Sequence, residues 1–114
     1  MKLQIRRRND SYYLVNNRGR ALREPNDFIR SLQIRGLSPH TVRAYAYDLK
    51  DFFSWWGILK KVSSLQRADL YRFIDQQHKK QASPCSINRK LVTITLFYRF
   101  VTGKNVPADL PCPI

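Results

Sequence analysis

Apolar residues recur at intervals of three and four positions between Ser38 and Gly57, which is the pattern of a helix with one buried face. The apolar stripe consists of Val42, Tyr45, Leu49, Phe52, Phe53 and Trp56. Ser38 suits the N-cap, Pro39 suits the first turn because it has no N–H to leave unpaired, and Gly57 suits the end. The opposite side carries Arg43, Tyr47, Lys50 and Ser54. The segment therefore predicts a helix with one apolar and one basic face.

The same periodicity predicts three further helices. The first begins near Asn26 or Asp27 and ends at Arg35, where Gly36 follows and Pro25 stops anything helical upstream. The next spans about 67 to 80, and the last runs from Pro84 to about 102. The inward residues are expected to be Phe28, Ile29 and Leu32, then Leu70, Phe73, Ile74 and Gln77, then Ile87, Leu91, Ile94, Tyr98 and Val101.

The last helix repeats the start signal of the Ser38 helix, because Ser83 is followed by Pro84. Its first half is expected to face outward with Ser86, Asn88, Arg89, Lys90 and Thr93, and its second half, 96 to 101, is expected to be buried. Together these patterns predict an all-α protein with four helices in residues 26–103.

Residues 1–25 differ from the rest of the chain, because two strand-like runs are separated by turn-forming residues. A short β-hairpin is one expectation. Such a hairpin can pair, pack on the helices or stay mobile, since two strands alone are marginally stable in water. The segment is also basic, with Arg6, Arg7, Arg8, Arg18 and Arg20. An arm that orders on nucleic acid and a solvated, frayed terminus both remain open. The proline-containing segment 104–114 is expected to be a linker.

The charge is the most informative part of the composition. Across 114 residues, 21 Lys and Arg stand against 8 Asp and Glu, a net charge of +13. This excess favours an anionic partner, and nucleic acid ahead of a membrane. The chain has two cysteines and contains no apolar run long enough for a membrane span, so a cytoplasmic protein is expected. No cofactor and no small-molecule ligand are expected.

Two groups of residues carry a resemblance to a known family. The first runs through Phe28-x-x-x-Leu32, Arg35-Gly36-Leu37-Ser38-Pro39-x-Thr41 and Tyr45-x-x-Asp48-Leu49-x-x-Phe52. The second is Ser86-Ile87-Asn88-Arg89-Lys90-Leu91, followed by Phe97-Tyr98-Arg99-Phe100. In this order and spacing, residues 26 to 107 resemble the N-terminal core-binding, SAM-like domain of tyrosine recombinases (phage integrases). The resemblance implies a four-helix bundle that binds double-stranded DNA in site-specific integration and recombination.

Within that family, the second and fourth helices of the bundle cross the major groove. Carried over to this chain, the resemblance implies DNA contacts from His40, Thr41, Arg43, Tyr47, Lys50, Ser86, Arg89, Lys90 and Thr93. We expect both basic faces to point in one direction, so that a duplex lies against both, and we expect mostly phosphate contacts. Other recombinase subunits on the DNA are expected partners. The linker would lead to a catalytic domain that this chain lacks; if the chain is complete in nature, a recombinase remnant or a DNA-binding accessory is expected.

Catalysis by this chain alone is not expected. The run from His40 to Arg43 spells the His-x-x-Arg signature of the recombinase catalytic domain, but here it lies at the capped start of a core-binding helix. The tyrosines offer no nucleophile, because a phenol of pKa near 10 needs a cationic pocket that the spacing does not provide. The Cys and His residues match no metal-ligand spacing, and no glycine-rich phosphate loop occurs.

Two alternative functions fit the same sequence. One is a helical module for RNA or single strands, which would use the positive charge and exposed aromatic residues, with the pair Trp55–Trp56 as one stacking candidate. The other is a protein-interaction bundle with an apolar surface between Leu96 and Phe100. Comparing duplex DNA, single-stranded DNA and RNA separates the first alternative from duplex binding, and a salt-insensitive complex with protein would favour the second.

Overall fold

A computed structural model of the chain describes residues 3–8, 11–16, 18–57 and 61–103. The strands are β1 (Gln4–Arg8) and β2 (Ser11–Val15), which pair antiparallel with Ile5 opposite Leu14. The helices are α1 (Arg23–Ile34), α2 (Pro39–Trp56), α3 (Arg67–Lys79) and α4 (Pro84–Thr102), with a short 3₁₀ helix at Val62–Ser64. The predicted all-α fold with four helices and a small N-terminal hairpin is confirmed in the described residues.

The chain forms two units. The first, Met1–Ile58, contains the hairpin, α1 and α2; the second, Leu59–Ile114, contains the 3₁₀ helix, α3 and α4. The predicted boundaries at 25/26 and 103/104 stay predictions, and the expected linker 104–114, with Cys112, lies outside the described residues.

The hairpin is both paired and packed. Strand β2 packs on α1 and α2, and Leu14 at its end is fully buried. The side chain of Asn26 fixes this position, because its Oδ1 accepts from the Leu14 N–H at 2.8 Å and its Nδ2 donates to the Leu14 carbonyl at 2.9 Å. The amide therefore pairs with one residue of β2 much as a neighbouring strand would. It satisfies the Leu14 N–H, whereas the Leu14 carbonyl also accepts from the Leu22 N–H at 3.0 Å.

The same contact explains why α1 begins earlier than expected. The helix starts at Arg23, so Pro25 lies inside its first turn, where backbone N–H groups have no helical partner to lose. Asn26 does not cap the helix, because Leu22 occupies the N-cap position and the Asn26 Oδ1 accepts from Leu14. The Asn26 Nδ2 also donates to the Leu22 carbonyl at 2.5 Å. The expectation that Pro25 excludes helix upstream is therefore wrong.

The buried residues follow the predicted stripes with a few corrections. In α2 the cluster of Phe52, Phe53 and Trp56 is buried as expected, whereas Tyr45 is half-buried and meets Phe28 edge-on with 6.2 Å between ring centroids. Ile74 and Val101, which were expected to face inward, are also half-buried. The buried residues of α3 are Leu70, Phe73 and Gln77, and those of α4 are Ile87, Leu91, Thr93, Ile94, Phe97 and Tyr98.

The second half of α4 is less buried than expected. Arg99 and Phe100 are exposed, and 46% of Phe100 is accessible, so part of this half of α4 faces away from the core. No helix in the described residues is long and apolar enough to span a membrane.

Candidate nucleic-acid interface

The first turns of α2 and α4 have the same construction. In α2 the Ser38 Oγ accepts from the Thr41 N–H at 3.2 Å and shares a 2.9 Å hydrogen bond with the Thr41 hydroxyl. In α4 the Ser83 Oγ accepts from the Ser86 N–H at 3.2 Å and donates to the Ser86 hydroxyl at 3.1 Å. A proline follows each serine, so both starts were predicted correctly. Each exposes a helix N-terminus, which favours negative charge.

Beyond its cap, α2 presents three side chains as one cluster. The guanidinium carbon of Arg43 lies 5.0 Å from the centroid of the Tyr47 ring, and the Lys50 Nζ lies 5.8 Å from the same centroid. Both distances are within the range of cation–π attraction. Arg43 is exposed, Lys50 is half-buried, and 42% of Tyr47 is accessible. We call these three residues the cationic cluster.

Helix geometry explains why the cluster faces away from the core. Residues three and four apart are neighbours on a helix, so Arg43 and Lys50 both reach Tyr47. The core side of the same segment consists of Val42, Ala46 and Leu49, all buried. His40 and Thr41, one turn before the cluster, are also exposed. The outward position predicted for this side of α2 therefore agrees with the structure.

The corresponding part of α4 differs from expectation. Arg89 is exposed and Ser86 is half-buried, but Thr93 is fully buried and its hydroxyl donates to the Arg89 carbonyl at 3.0 Å. The expected outward position of Thr93 is therefore wrong. A threonine that bonds to its own helix backbone can be buried without leaving its hydroxyl unsatisfied.

Lys90 also lies closer to the interior than expected. It is half-buried, and its Nζ donates to Oε1 of the fully buried Gln77 at 2.9 Å. Its neighbours one turn away are Ile87 and Ile94, which are both buried, so the stem of Lys90 follows the core side of α4. The ammonium thus links α4 to α3.

The hairpin carries further cations. Arg6 and Arg7 are exposed on β1, and the Arg6 guanidinium lies beside Gly19. Arg18 and Arg20 are exposed in a turn organised by Asn16, whose Oδ1 accepts their backbone N–H groups at 2.9 and 3.0 Å. Arg8 ends β1, and its side chain lies outside what the structure describes. The described part of the chain contains no group of His, Cys, Asp or Glu residues arranged to hold a metal ion.

Two features of the site were missed at the level of sequence. The attraction of Arg43 and Lys50 to Tyr47 follows from spacings of four and three, which are visible in the sequence. The bond from Lys90 to Gln77 joins residues 13 positions apart on different helices, so no local pattern indicates it.

Comparison with protein-family models matches residues 26–105 to the family described as phage integrase, N-terminal SAM-like domain. Among curated proteins, the tyrosine recombinase XerC of Anoxybacillus flavithermus is 28% identical over 89 residues, covering 75% of this chain and 30% of that protein. XerC of Xylella fastidiosa is 33% identical over 81 residues, covering 68% and 28%. XerA of Thermococcus kodakarensis is 32% identical over 81 residues, covering 68% and 27%.

The chain thus spans less than a third of the length of these curated relatives. No solved structure matches it.

Proposed function

Because the chain belongs to the phage integrase N-terminal SAM-like domain family, we propose that it binds duplex DNA as the N-terminal part of a tyrosine recombinase. It holds the recombination site while strand exchange is carried out by a catalytic region outside the segment that the family model covers. A protein that acts on DNA works in the compartment that holds the DNA. In a cell without a nucleus, this compartment is the cytoplasm.

The cationic cluster is the observation that supports this proposal most directly. Arg43 and Lys50 are seven residues apart, so their origins on α2 are separated by about 10.5 Å along the helix axis. Two cations at this spacing suit contacts to separate phosphates of one DNA strand, which fix position and add affinity without reading sequence. The exposed N-terminus of α2, with His40 and Thr41, adds donors for a further phosphate.

A second set of contacts comes from the start of α4, with Ser86 and the exposed Arg89. We propose that this set and the cationic cluster bind one duplex together. The hairpin and the turn that follows it supply a third set through Arg6, Arg7, Arg8, Arg18 and Arg20. It is already packed through Leu14, so binding DNA does not require the hairpin to fold first.

Titration of a fluorescent duplex of mixed sequence with the full chain tests the proposal. Arg43→Ala is expected to weaken binding about fivefold to tenfold and to reduce the slope of log affinity against log salt by about one, since one phosphate contact is lost. Arg30→Ala is the matched control, because it removes the same charge from an exposed position of α1. It should change affinity less than about twofold.

Equal effects of Arg43→Ala and Arg30→Ala would contradict a defined interface and leave only a general attraction of charge. The double variant Arg43→Ala, Arg89→Ala tests the shared duplex. Its losses should add and its salt slope should fall by about two. Single-stranded DNA and RNA of equal length are included, and tighter binding to either would favour a single-strand module instead.

A second candidate function, contact with other recombinase subunits, is favoured by the outer side of α4. Val92 and Phe100 are 44% and 46% accessible, with half-buried Leu96 between them at intervals of four residues. Such an apolar stripe suits a protein contact. Sedimentation of wild-type protein and Val92→Ser on DNA tests this candidate, and equal assembly of both would contradict it.

A further inference from the structure

Tyr47 holds a central place in the cationic cluster, because both cations lie near its ring. We infer that Tyr47 is a positioning residue, whose ring holds Arg43 and Lys50 in place for DNA phosphates while its hydroxyl is dispensable. The inference rests on the proposed function and adds a role that charge alone does not explain.

The physical argument begins with the two like charges on one side of α2. Arg43 and Lys50 repel each other, and both have long side chains that lose rotational freedom on binding. The face of an aromatic ring carries a negative quadrupole, so a tyrosine between them attracts both. The ring therefore reduces the conformational freedom of both side chains before DNA arrives, which lowers the cost of binding.

The same geometry argues against Tyr47 as a platform for a base. A base that stacks on a tyrosine needs an accessible ring face. Here a guanidinium at 5.0 Å and an ammonium at 5.8 Å already attend the ring. The contribution of Tyr47 should therefore appear in duplex binding, through the cations, and should not require an unpaired base.

Four variants of the full chain, titrated with a fluorescent duplex of mixed sequence, test the inference. Tyr47→Phe keeps the ring and should bind like wild type. Tyr47→Leu and Tyr47→Met remove it while keeping good helix formers, and both should weaken binding about threefold to tenfold. Both should also reduce the salt slope although no charge is lost, which a merely structural change would not do. Tyr71→Leu is the control, because Tyr71 of α3 has a similar accessibility of 44%.

Coupling to the cations completes the test. In an Arg43→Ala, Lys50→Ala background, Tyr47→Leu should have little further effect, since the residues through which it acts are gone. Full additivity in that background would overturn the inference in favour of a direct contact. The inference would also be overturned if Tyr47→Phe bound the duplex as weakly as Tyr47→Leu does. It would likewise be overturned if Tyr47→Leu bound like wild type while Arg43→Ala bound weakly. By contrast, the proposed function itself fails if Arg43→Ala has no effect of its own.

Discussion

Helices α2 and α4 begin and end alike, but they carry different side chains on their outward faces. Each is capped by a serine that accepts an N–H at 3.2 Å, each has proline at its first position, and each ends at a glycine. The side chains beyond the caps differ. In α2 the cations stand on the outer face around Tyr47, whereas in α4 Lys90 turns to Gln77.

Six buried positions of the two helices coincide when they are counted from the cap serine, whereas the eighteenth is buried in α2 (Trp56) and half-buried in α4 (Val101). The fourth, eighth, tenth, eleventh, fourteenth and fifteenth residues are buried in both: Val42, Ala46, Asp48, Leu49, Phe52 and Phe53 in α2, and Ile87, Leu91, Thr93, Ile94, Phe97 and Tyr98 in α4. The two helices thus bury the same face in the same register, and each includes one polar residue at the tenth position.

The placement of charge within this shared register differs between the two helices. The cluster of α2 occupies the fifth, ninth and twelfth positions, opposite the buried face, with Arg43 as its first member. The first two cations of α4 occupy the sixth and seventh positions, and Lys90 at the seventh lies between buried Ile87 and Ile94. A shift of one position therefore moves a cation of α4 from solvent towards the interior, as exposed Arg89 and half-buried Lys90 show, because each residue turns a helix by about 100°.

The largest expected effect tests whether the shared register reflects equal roles in the core. Phe52→Ala and Phe97→Ala remove fully buried rings at the same position of each helix. Each should lower the free energy of unfolding by about 3–5 kcal/mol, since transfer and cavity costs add. Urea unfolding measures the free energy of unfolding. Circular dichroism follows all helices, and tryptophan fluorescence follows the first unit, which contains both Trp55 and Trp56.

Phe100→Ala serves as the control for ring removal. Because Phe100 is 46% accessible, its replacement should cost less than about 1 kcal/mol. A Phe97→Ala variant that is no less stable than Phe100→Ala would show that α4 is not a core helix in the sense that α2 is.

Much of this fold could be predicted from local signals. Serine–proline starts and glycine ends gave the bounds of α2 and α4 correctly, because caps act within one turn. The start of α1 could not be predicted in this way. It depends on Asn26, whose amide is used by Leu14, 12 residues away. Contacts between β2 and the start of α1 therefore accompany the early start of that helix, and no pattern near Arg23 indicates them.

The candidate site divides in the same manner. The outward position of Arg43 and Tyr47 followed from spacing, because they are four residues apart and lie on a side of α2 that the buried stripe does not occupy. The outward position predicted for Thr93 is wrong because Thr93 lies four residues before buried Phe97, on the same side of α4, and this spacing outweighs its polarity. Lys90 shows the same error, and its partner Gln77 belongs to another helix, which no periodicity within α4 can identify.

Replacing each helix's half-buried lysine sharpens the contrast between the two. Lys90→Ala removes a bond to the fully buried Gln77 and should lower stability by about 1–2 kcal/mol. Lys50→Ala removes only an attraction near an exposed ring and should cost about 0.5 kcal/mol. Urea unfolding of both variants measures the difference.

DNA binding should respond in the opposite order. Lys50→Ala should weaken duplex binding and lower the salt slope by about one, whereas Lys90→Ala should resemble the Arg30→Ala control. If Lys90→Ala binds the duplex more weakly than Lys50→Ala while its stability is unchanged, Lys90 contacts DNA and the proposed difference between the two lysines is wrong.

The cap serines test the part of the comparison in which the helices agree. Ser38→Ala and Ser83→Ala should each lower the free energy of unfolding by about 1 kcal/mol, because each removes one acceptor for a first-turn N–H. Aspartate at either position should restore stability, since it keeps the acceptor and suits the helix dipole. Ser63→Ala, at an exposed position, is the control. If the two substitutions lower the free energy of unfolding by clearly different amounts, the two caps contribute unequally to stability although their geometry is the same.

The smallest expected change is in the stability of Arg43→Ala and Arg89→Ala, the exposed cations that we propose as DNA contacts. Each should alter the free energy of unfolding by no more than about 0.5 kcal/mol, because surface substitutions remove little packing. Both should nevertheless weaken duplex binding. This separation matters because a binding loss that accompanies unfolding says nothing about an interface. If either variant instead loses stability on the scale expected for Lys90→Ala, the side chain that it removes packs against the rest of the protein. The outward faces of α2 and α4 would then differ less than we propose.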